Sequence, residues 1–497
     1  MGIGGSVGQK RRHKGYPFAD RSGDLAENWE GGSTDDATST MLDRGPMTTR
    51  PVAVAMAVLL LLAIVLIRGA GGDANLVVIL VKSRAPLTPD VAQAIVSAVG
   101  GQVLYYWPEI DAMAIRMTSG DVGALSDHPL VAYAGPDRQV YGIPDAGGGA
   151  DPTADLASQS TSPLIPWNLD MADVTGTGYD GTGVTIAILD SGLPQNWREF
   201  LPVGSVDLTH AAGFGAEGAG DFHNPLIPIV GEGGIFGLHP HGLAVSSVIV
   251  GFPSEFGPIA GAAPGATILP IRILNQFNFG WFSWFIAGFL YVANLKTTGV
   301  LTGPVVINFS IQAMADDPIL AEAILYAISQ GVLVVTIAGN FGPAPCSLAF
   351  PGRLPQAITV GAVGWTAGGF FGDVPEDDPS QVFVAPFSGR DCPGLTRVDV
   401  VAPGADIFGL WLYGPGFSEN RERAFPYIDY VIWGTSFAAP HVAGTLAQML
   451  QKNPGLTQAE AEALVQGTAL PLPGEAVEAV GAGLVQGDAA VAATAAP

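Results

Sequence analysis

The stretch VTIAILDSG, residues 184–192, decides the fold that we predict for this chain. Its first six residues are apolar or β-branched and lack the polar alternation of a half-exposed strand, which is typical of a strand buried on both faces. Four later stretches share this character: residues 267–273, 305–309, 332–337 and 357–363. Because helical segments separate several of them, we predict an α/β domain with a doubly wound parallel sheet.

A smaller unit of strands and helices precedes this sheet. Residues 76–82 are short and β-branched, as in a strand, and Thr88-Pro89-Asp90 has the cap, proline and acid that start a helix. Further elements are predicted as strands at 102–106, 112–117 and 130–134 and a helix at 119–126. The order β-α-β-β-α-β is that of a small α+β, ferredoxin-like fold.

The composition changes between the two units. Residues 143–163 are rich in Gly, Pro, Ala, Ser and Thr and have no periodic apolar pattern, which predicts a linker. We therefore place the small unit at residues 75–142 and the large domain at residues 164–497.

The N-terminal region has two parts. Residues 1–50 are polar with acids and bases in balance, which predicts a disordered tail. An uninterrupted apolar run of 16 residues, 52–67, follows and is bracketed by Arg50 and Arg68. Because small residues come next, we assign residues 51–74 to a signal peptide or, if it is retained, a signal anchor.

The sequence offers more than one start of translation. The phrase that begins at Met47 has the basic start, apolar core and small-residue end of an ordinary signal peptide, so Met47 or Met41 competes with Met1. In each case we expect residues 75–497 to be exported. They would be secreted, or extracytoplasmic on a membrane anchor formed by residues 52–67.

The composition excludes several classes of protein. The chain has 497 residues with 21 Lys plus Arg against 45 Asp plus Glu, a formal net charge of −24. This balance argues against nucleic acid as a partner and against attraction to anionic lipid. Two cysteines exclude a disulfide-dense scaffold and Cys-based zinc modules, and no metal-ligand spacing occurs elsewhere.

Three polar residues stand at the ends of apolar elements. Asp190 ends the opening strand, His241 lies near the start of the helical stretch HGLAVSSVIVG, and Ser436 near the start of GTSFAAPHVAG. A serine hydroxyl becomes a nucleophile when an imidazole takes its proton, and a carboxylate holds that imidazole in the required tautomer. His239 precedes a proline and His441 lies five residues along the helix from Ser436, so neither is favoured as that imidazole.

These motifs resemble those of the subtilisin-like serine proteases, in which Asp, His and Ser follow in this order. VTIAILDSG, HGLAVSSVIVG and GTSFAAPHVAG are similar to the family's three motifs, although Leu243, Ala244 and Phe437 stand where Thr, His and Met are usual. Supporting blocks match in order over residues 165–497: GAAPGATILPIRIL, VVINFSIQ, VVTIAGN, FPGRLPQAITVGAV, VVAPGADI and GAGLVQGDAAV. The resemblance implies a subtilisin-like α/β fold for the large domain.

The resemblance also implies an activity: a serine endopeptidase that cleaves polypeptide substrates through an acyl-enzyme and requires no cofactor. Ser436 would be the nucleophile, His241 the general base and acid, and Asp190 its orienting partner. Asn340, in the AGN block, matches the family's oxyanion donor, with the Ser436 backbone N–H as the second donor.

The small unit resembles the propeptide of the same family. SDHPLVAYAGPDRQV, residues 126–140, is similar to that propeptide's end. The resemblance implies that the unit at residues 75–142 is a folding template and inhibitor, the protease's own partner. Self-cleavage between residues 141 and 165 would release it.

The strand expected beside the substrate departs from the family pattern. Ser-Leu-Gly-Gly is usual, whereas here Ser310, Ile311 and Gln312 are followed by alanine. Ile337 likewise replaces a small residue near Gly339. With these five as substrate-binding residues, we expect Gln312 and Ile337 to make the first specificity pocket shallow.

Seven aromatic residues lie close together: Phe277, Phe279, Trp281, Phe282, Trp284, Phe285 and Phe289. At helical spacing such a stripe is usually packed in a core. Because seven exceed what one helix face buries, we expect some of them to rim the cleft, with a membrane-contact patch as an alternative.

Two features concern cofactors and cross-links. The loop after the His motif, residues 251–257, lacks the Asn-rich sequence that binds calcium in many relatives, so calcium dependence is not supported.

Cys346 and Cys392 can form one disulfide in an exported chain or remain two buried thiols.

The motifs leave two rivals to the endopeptidase. One is a catalytically inactive binding or scaffold protein on the same fold, tethered to the membrane, which the altered segment at Gln312 favours. The other is an esterase or peptide ligase, which would use the same three residues.

Overall fold

The structure is a computed structural model that describes residues 76–141, 162–194, 196–215, 239–254, 256–275, 278–367, 371, 379–412 and 428–497. The tail predicted at 1–50, the signal segment predicted at 51–74 and nearly all of the linker predicted at 143–163 lie outside the described residues. Among the helices that are described, none is long and apolar enough to cross a membrane.

The strands and helices are numbered here in chain order. The strands are β1 (Leu76–Ser83), β2 (Gln102–Trp107), β3 (Ala112–Thr118), β4 (Val131–Pro136), β5 (Gln139–Tyr141), β6 (Thr185–Asp190), β7 (Ala212–Gly213), β8 (Phe252–Ser254), β9 (Gly257–Ile259), β10 (Thr267–Arg272), β11 (Phe279–Trp281), β12 (Val305–Phe309), β13 (Val332–Ile337), β14 (Ile358–Trp365), β15 (Val382–Val384), β16 (Val400–Pro403), β17 (Ile407–Leu412) and β18 (Ile428–Ile432). The α-helices are α1 (Pro89–Val99), α2 (Val122–Ser126), α3 (Trp167–Met171), α4 (His241–Val250), α5 (Phe282–Thr297), α6 (Pro318–Ser329), α7 (Thr435–Lys452), α8 (Gln458–Thr468), α9 (Val477–Val480) and α10 (Gly487–Ala493). Short 3₁₀ turns occupy Pro108–Ile110, Ser119–Asp121, Trp197–Glu199 and Pro379–Gln381.

Strands β1 to β4 and helices α1 and α2 follow one another in the predicted β-α-β-β-α-β order. Their sheet has the strand order β2-β3-β1-β4, and each neighbouring pair is antiparallel. Helix α1 begins where the cap predicts, because Thr88 Oγ1 accepts the Val91 amide at 3.3 Å, and it ends at Gly100 with a left-handed φ of +66°. The core between these helices and one face of the sheet includes Ile79, Val81, Ile95, Met113 and Ile115.

The larger sheet confirms the predicted α/β architecture. Its strand order is β15-β14-β13-β12-β6-β10-β7 with β16 beside β14, and the described pairs are parallel except β14 with β15. Successive residues of one strand face opposite layers: in β6, Ile188 packs with α4 and α7, whereas Leu189 packs with α5 and α6. Helices therefore cover both faces, which explains why these strands carry no polar alternation.

The small sheet packs against the layer formed by α5 and α6. On the face opposite its own helices, Leu80 and Leu104 join the same core as Phe285 of α5. Beyond this sheet, β5 pairs antiparallel with β11, with Tyr141 opposite Phe279.

The parallel strands bring several polar residues to one edge of the sheet. Asp190 is the last residue of β6, Ser310 directly follows β12, and Asn340 comes three residues after β13. Helix α4 begins with His241, and Ser436 is the second residue of α7. Because the carboxyl ends of parallel strands meet at the same edge, this edge is where a site is expected.

Candidate active site

The Asp190 carboxylate holds the ring of His241. Nδ1 of His241 lies 2.9 Å from Oδ1 and 2.8 Å from Oδ2, and both residues are at most 2% exposed. A carboxylate only accepts hydrogen bonds, so Nδ1 carries a proton, and in the neutral ring Nε2 has the lone pair. Asp190 Oδ1 also accepts the Ser191 amide at 2.6 Å, which orients the carboxylate at the end of β6.

The residue after this histidine has to be glycine. A Cβ at Gly242 would lie 2.5 Å from the carbonyl oxygen of Gly192, in the turn that follows Asp190. Ser191 closes the same turn, because its hydroxyl accepts the Gly242 amide at 2.9 Å and donates to the His239 carbonyl at 2.7 Å. The turn that follows Asp190 and the start of helix α4 are therefore in direct contact, which holds the Asp and His motifs together.

Ser436 lies in the first turn of α7. Its Oγ donates to the Ser310 carbonyl oxygen at 3.1 Å, and the Ser310 hydroxyl donates to the Ser436 carbonyl oxygen at 2.9 Å. The buried Nε2 of His241 has no hydrogen-bond partner in the described part of the chain. In this structure Ser436 Oγ therefore donates to Ser310 and not to Nε2 of His241.

The Asn340 side chain is held through its oxygen. Oδ1 accepts the Thr435 amide at 3.0 Å and the Thr435 hydroxyl at 2.7 Å. Nδ2 is buried, finds no partner among the residues that the structure describes, and would lie 3.3 Å from a Cβ at Gly434. Because the N-terminus of α7 also favours negative charge, this unpaired donor is well placed to bind an oxyanion.

Aromatic rings enclose the His241 imidazole. The ring centroid of Phe437 lies 5.5 Å away, and that of Trp411 lies 6.4 Å away and edge-on, at an interplanar angle of 85°. His239 packs against the same Trp411 at 5.6 Å. The sequence did not indicate Trp411, because this residue lies outside every motif and no periodicity distinguishes it. These rings exclude water, which strengthens the interaction between His241 and Asp190.

His441 lies five residues from Ser436 in a different environment. Its Nδ1 donates to the Phe437 carbonyl at 2.8 Å, and Nε2 lies 2.9 Å from Asn168 Nδ2, which donates to it. Burial lowers the pKa of His441 to about 4. Both ring nitrogens are therefore occupied, and the residue is neutral and structural.

The segment after β12 contacts both Ser436 and the Asn340 loop. Ile311 is buried, and the Gln312 side chain extends to Asn340, where Oε1 accepts the backbone N–H at 2.5 Å. This contact was not predicted, because the sequence indicates the size of Gln312 but not its hydrogen-bond partner.

Ile337 differs from the expectation that it lines a specificity pocket. Ile337 has no exposed surface, and its side chain packs in the core that includes α7. Because Ile337 is the last residue of β13, the alternation of the strand still directs its side chain into that core. Ile337 therefore lines no open pocket. Gly339, two residues later, has a φ of +84°, and a Cβ there would lie 2.4 Å from the Cβ of Ala349.

A disulfide joins Cys346 to Cys392, with an S–S distance of 2.16 Å. The backbone of the two loops is also linked, because the Cys346 amide donates to the Asp391 carbonyl at 3.1 Å. Of the two alternatives left open by the sequence, the structure therefore has the disulfide. It ties the loop that follows Asn340 to a neighbouring loop.

The aromatic cluster is mainly a packing feature. Phe282, Trp284, Phe285 and Phe289 are at most 7% exposed on α5, which corrects the expectation of a substrate rim for these four. Phe279 and Trp281, on β11, keep partial exposure beside β5, and Phe277 lies outside the described residues. One long helix buries more aromatic rings than one face would allow because both the large sheet and the small sheet pack on it.

The described part of the chain holds no group of three or more His, Cys, Asp or Glu side chains that could bind a metal ion. In the loop after the His motif, for which no calcium site is predicted, β8 and β9 pair antiparallel, with Phe252 opposite Ile259. No residue of the site is therefore assigned to a metal or cofactor.

The geometry can be compared with known proteins. A sequence model of the subtilase family matches residues 181–487, more than half of the chain. Alkaline elastase YaB of Bacillus sp. (strain YaB) is 25% identical over 391 residues, 78% of this chain and 81% of that protein. Subtilisin E of Bacillus subtilis (strain 168) is 25% identical over 378 residues, 76% of this chain and 80% of that protein.

Among solved structures, that of fervidolysin from Fervidobacterium pennivorans, described as a keratinolytic enzyme related to subtilisin, matches with a TM-score of 0.59 at 24% identity. The match covers 86% of this chain and 62% of that one, and it supports the fold alone.

The family match spans the strand that ends in Asp190, the helix that begins with His241 and the helix that carries Ser436. Relatives named as alkaline protease and subtilisin match over about the same share of the chain. The chain therefore belongs to the subtilase family and is a subtilisin-like serine endopeptidase.

Proposed function

We propose that this chain is an exported serine endopeptidase, made as a self-processing proenzyme, that cleaves peptide bonds through an acyl-enzyme on Ser436. The state of His241 carries the proposal: Nδ1 is bound by the buried Asp190 carboxylate, and the buried Nε2 lacks a described partner. An imidazole held in this way can accept a proton from a neighbouring hydroxyl.

Acylation begins when Ser436 Oγ leaves Ser310 and turns to Nε2 of His241. His241 takes the hydroxyl proton while Oγ forms a bond to the carbonyl carbon of the substrate. The developing negative charge on the carbonyl oxygen is stabilised by Asn340 Nδ2 and by the Ser436 backbone N–H. Asp190 stays ionised and stabilises the imidazolium.

The acyl-enzyme forms when the peptide C–N bond breaks and His241 gives its proton to the leaving amine. Water then replaces the amine, gives a proton to Nε2 and attacks the ester carbon. Ser436 Oγ leaves, takes the proton back from His241 and returns to its resting position. The net reaction is hydrolysis of one peptide bond.

The small unit at residues 75–142 is the inhibitor in this proposal. Asp137 accepts the Ser283 amide at 3.0 Å and the Ser283 hydroxyl at 2.6 Å, in the first turn of α5. Farther along α5, Asn294 Nδ2 donates to Glu109 at 2.8 Å. These polar contacts add to the shared apolar core and support a unit that docks on the enzyme specifically.

Self-processing is supported by the path of the chain beyond this unit. Strand β5 is extended and pairs antiparallel with β11, as a bound peptide would. Residue 141 ends this strand, and cleavage between residues 141 and 165 would separate the small unit from the catalytic domain.

Export rests on two features. The apolar run at residues 52–67 has the flanks of a signal segment. The disulfide between Cys346 and Cys392 is typical of oxidising compartments outside the cytoplasm.

Fluorophosphonate labelling of the purified chain tests the proposal. We expect the processed wild type to be labelled, and Ser436→Ala to remain unlabelled and at precursor mass. Ser329→Ala, at an exposed serine on α6, is the matched control and should label and process like the wild type. Processed wild type that takes no label would contradict the proposal.

A membrane-tethered, inactive binding protein is the rival, because Ser436 Oγ is bonded to Ser310 rather than to His241. This rival predicts no labelling at any stage. Peptide, ester and transpeptidation assays on the labelled enzyme separate the endopeptidase from an esterase or peptide ligase.

A further inference from the structure

Gln312 crosses the crevice beyond the ends of two neighbouring strands. Strands β12 and β13 are parallel, and their last paired residues are Phe309 and Thr336. Beyond this pair the two chain segments continue toward the site, one through Gln312 and the other through Asn340. The Gln312 Oε1 accepts the Asn340 backbone N–H at 2.5 Å, so its side chain spans from one segment to the other.

This crevice is where the residue acylated onto Ser436 must place its side chain. Ser436 is bound to the start of one segment through Ser310, and the oxyanion donor Asn340 lies on the other. A carbonyl carbon bonded to Ser436 Oγ, with its oxygen at Asn340 Nδ2, therefore lies between the two segments. Its α-carbon substituent, the P1 side chain, extends into the gap.

Little space is left for a P1 side chain in the gap between the two segments while the Gln312 side chain keeps this position. Gln312 is 7% exposed, and its Oε1 would lie 3.1 Å from a Cβ at Gly339. Ile311 and Ala313 on the same wall, and Ala349 behind Gly339, are also buried. A large P1 side chain would have to displace Gln312 and leave the Asn340 amide and the Gln312 carboxamide without their hydrogen bond.

We propose that Gln312 is a specificity-determining residue that restricts P1 to glycine, alanine or serine. This inference rests on the proposed function and names its substrate class. Small P1 residues leave the bond between Gln312 and Asn340 intact and keep the oxyanion residue oriented. Larger residues such as phenylalanine or leucine break that bond to enter.

The test measures kcat/KM for a series of peptide p-nitroanilides that differ only at P1. We expect the wild type to prefer P1 alanine over P1 phenylalanine by at least about 100-fold, within the range that one pocket can discriminate. Gln312→Gly should raise kcat/KM for P1 phenylalanine at least about tenfold relative to P1 alanine. Gln330→Gly, at the C-terminal end of α6, is the matched control and should leave the P1 profile unchanged.

Gln312→Met is a second variant that has similar length but cannot accept the Asn340 amide. We expect it to have a preference for small P1 residues between those of the wild type and Gln312→Gly, because methionine still fills the gap but a large P1 side chain breaks no hydrogen bond to displace it. A wild type that labels with fluorophosphonate but prefers P1 phenylalanine, tyrosine or leucine would overturn this inference and leave the proposed function standing. Absence of labelling in the processed wild type would overturn both.

Discussion

Two buried histidines, His441 within helix α7 and His241 against its first turn, differ in what their ring nitrogens contact. His441 has both nitrogens paired, with Asn168 and with the Phe437 carbonyl. His241 has one nitrogen on the Asp190 carboxylate and the other without a described partner. Buried polar atoms are almost always hydrogen-bonded, so an unpaired one requires an explanation.

The proposed mechanism accounts for the nitrogen of His241 that has no described partner, whereas the two paired nitrogens give His441 a structural role. Both atoms without a described partner belong to residues at the N-terminus of α7: Asn340 Nδ2 lies near Gly434, and the His241 ring packs against Phe437. When substrate binds, reacting groups can form hydrogen bonds with both of these nitrogen atoms. The paired nitrogens around His441 offer nothing to a substrate, although they help to hold α7 against α3.

The largest expected effect separates the two histidines directly. His241→Ala should lower kcat by about 10⁶-fold, the size of loss known for the equivalent change in a subtilisin of the same family. Because this variant should stay at precursor mass, its unfolding temperature is compared with that of the Ser436→Ala precursor, and it should be lower, since the buried Asp190 carboxylate loses its imidazole partner. Peptide nitroanilide hydrolysis and thermal unfolding measure the two quantities, and activity above about 1% of wild type would remove His241 from the proposed mechanism.

A smaller effect is expected at the second unpaired atom. Asn340→Ala should lower kcat by about 10²–10³-fold with little change in KM, the loss known for the oxyanion asparagine of a subtilisin. Asn340→Asp is the sharper variant, since its carboxylate still accepts from Thr435 but presents no donor to the oxyanion. An Asp variant with wild-type kcat would show that Nδ2 does not act in the transition state.

The smallest effect concerns stability alone. The pKa of His441 is about 4 in the folded protein and about 6.5 when exposed, so between these values the unfolded chain binds more protons. His441 therefore contributes its full stability above about pH 6.5, and about 3 kcal/mol of it is lost as the pH falls toward 4. Urea unfolding at pH 7, 5 and 4 measures this loss in the Ser436→Ala background, which prevents self-digestion.

His441→Gln supplies the control for that measurement. Glutamine does not titrate, so the variant should lose the part of the pH dependence that the histidine causes. An unchanged slope in the variant would show that His441 does not cause the acid sensitivity, because the buried carboxyl groups of Asp137 and Asp399 have raised pKa values and act in the opposite direction.

Local pattern was sufficient to predict much of the fold. The strands that end at Asp190 and Ile337 were placed correctly from their apolar runs, and the cap at Thr88 marked the start of α1. These features depend on residues near one another in the sequence, where periodicity and capping act.

Side-chain direction at the end of a strand was not predictable in the same way. Ile337 packs toward α7 instead of lining a pocket, because the strand keeps its alternation up to its last residue. Phe285 and its neighbours on α5 are buried from two sides, since a second sheet that is distant in sequence packs on the helix. Both outcomes depend on contacts between segments that are far apart along the chain.

The sequence by itself determined the order of elements, the α/β class of the large domain and the chemical types of the residues that meet at the candidate site. Only the tertiary structure decided that His241 Nε2 has no partner among the described residues, that Ser436 Oγ donates to the Ser310 carbonyl, and that Gln312 accepts the Asn340 amide. The physical reason is that hydrogen-bond pairing in a buried site depends on distances of a few tenths of an ångström between distant segments, and local sequence pattern does not encode such distances.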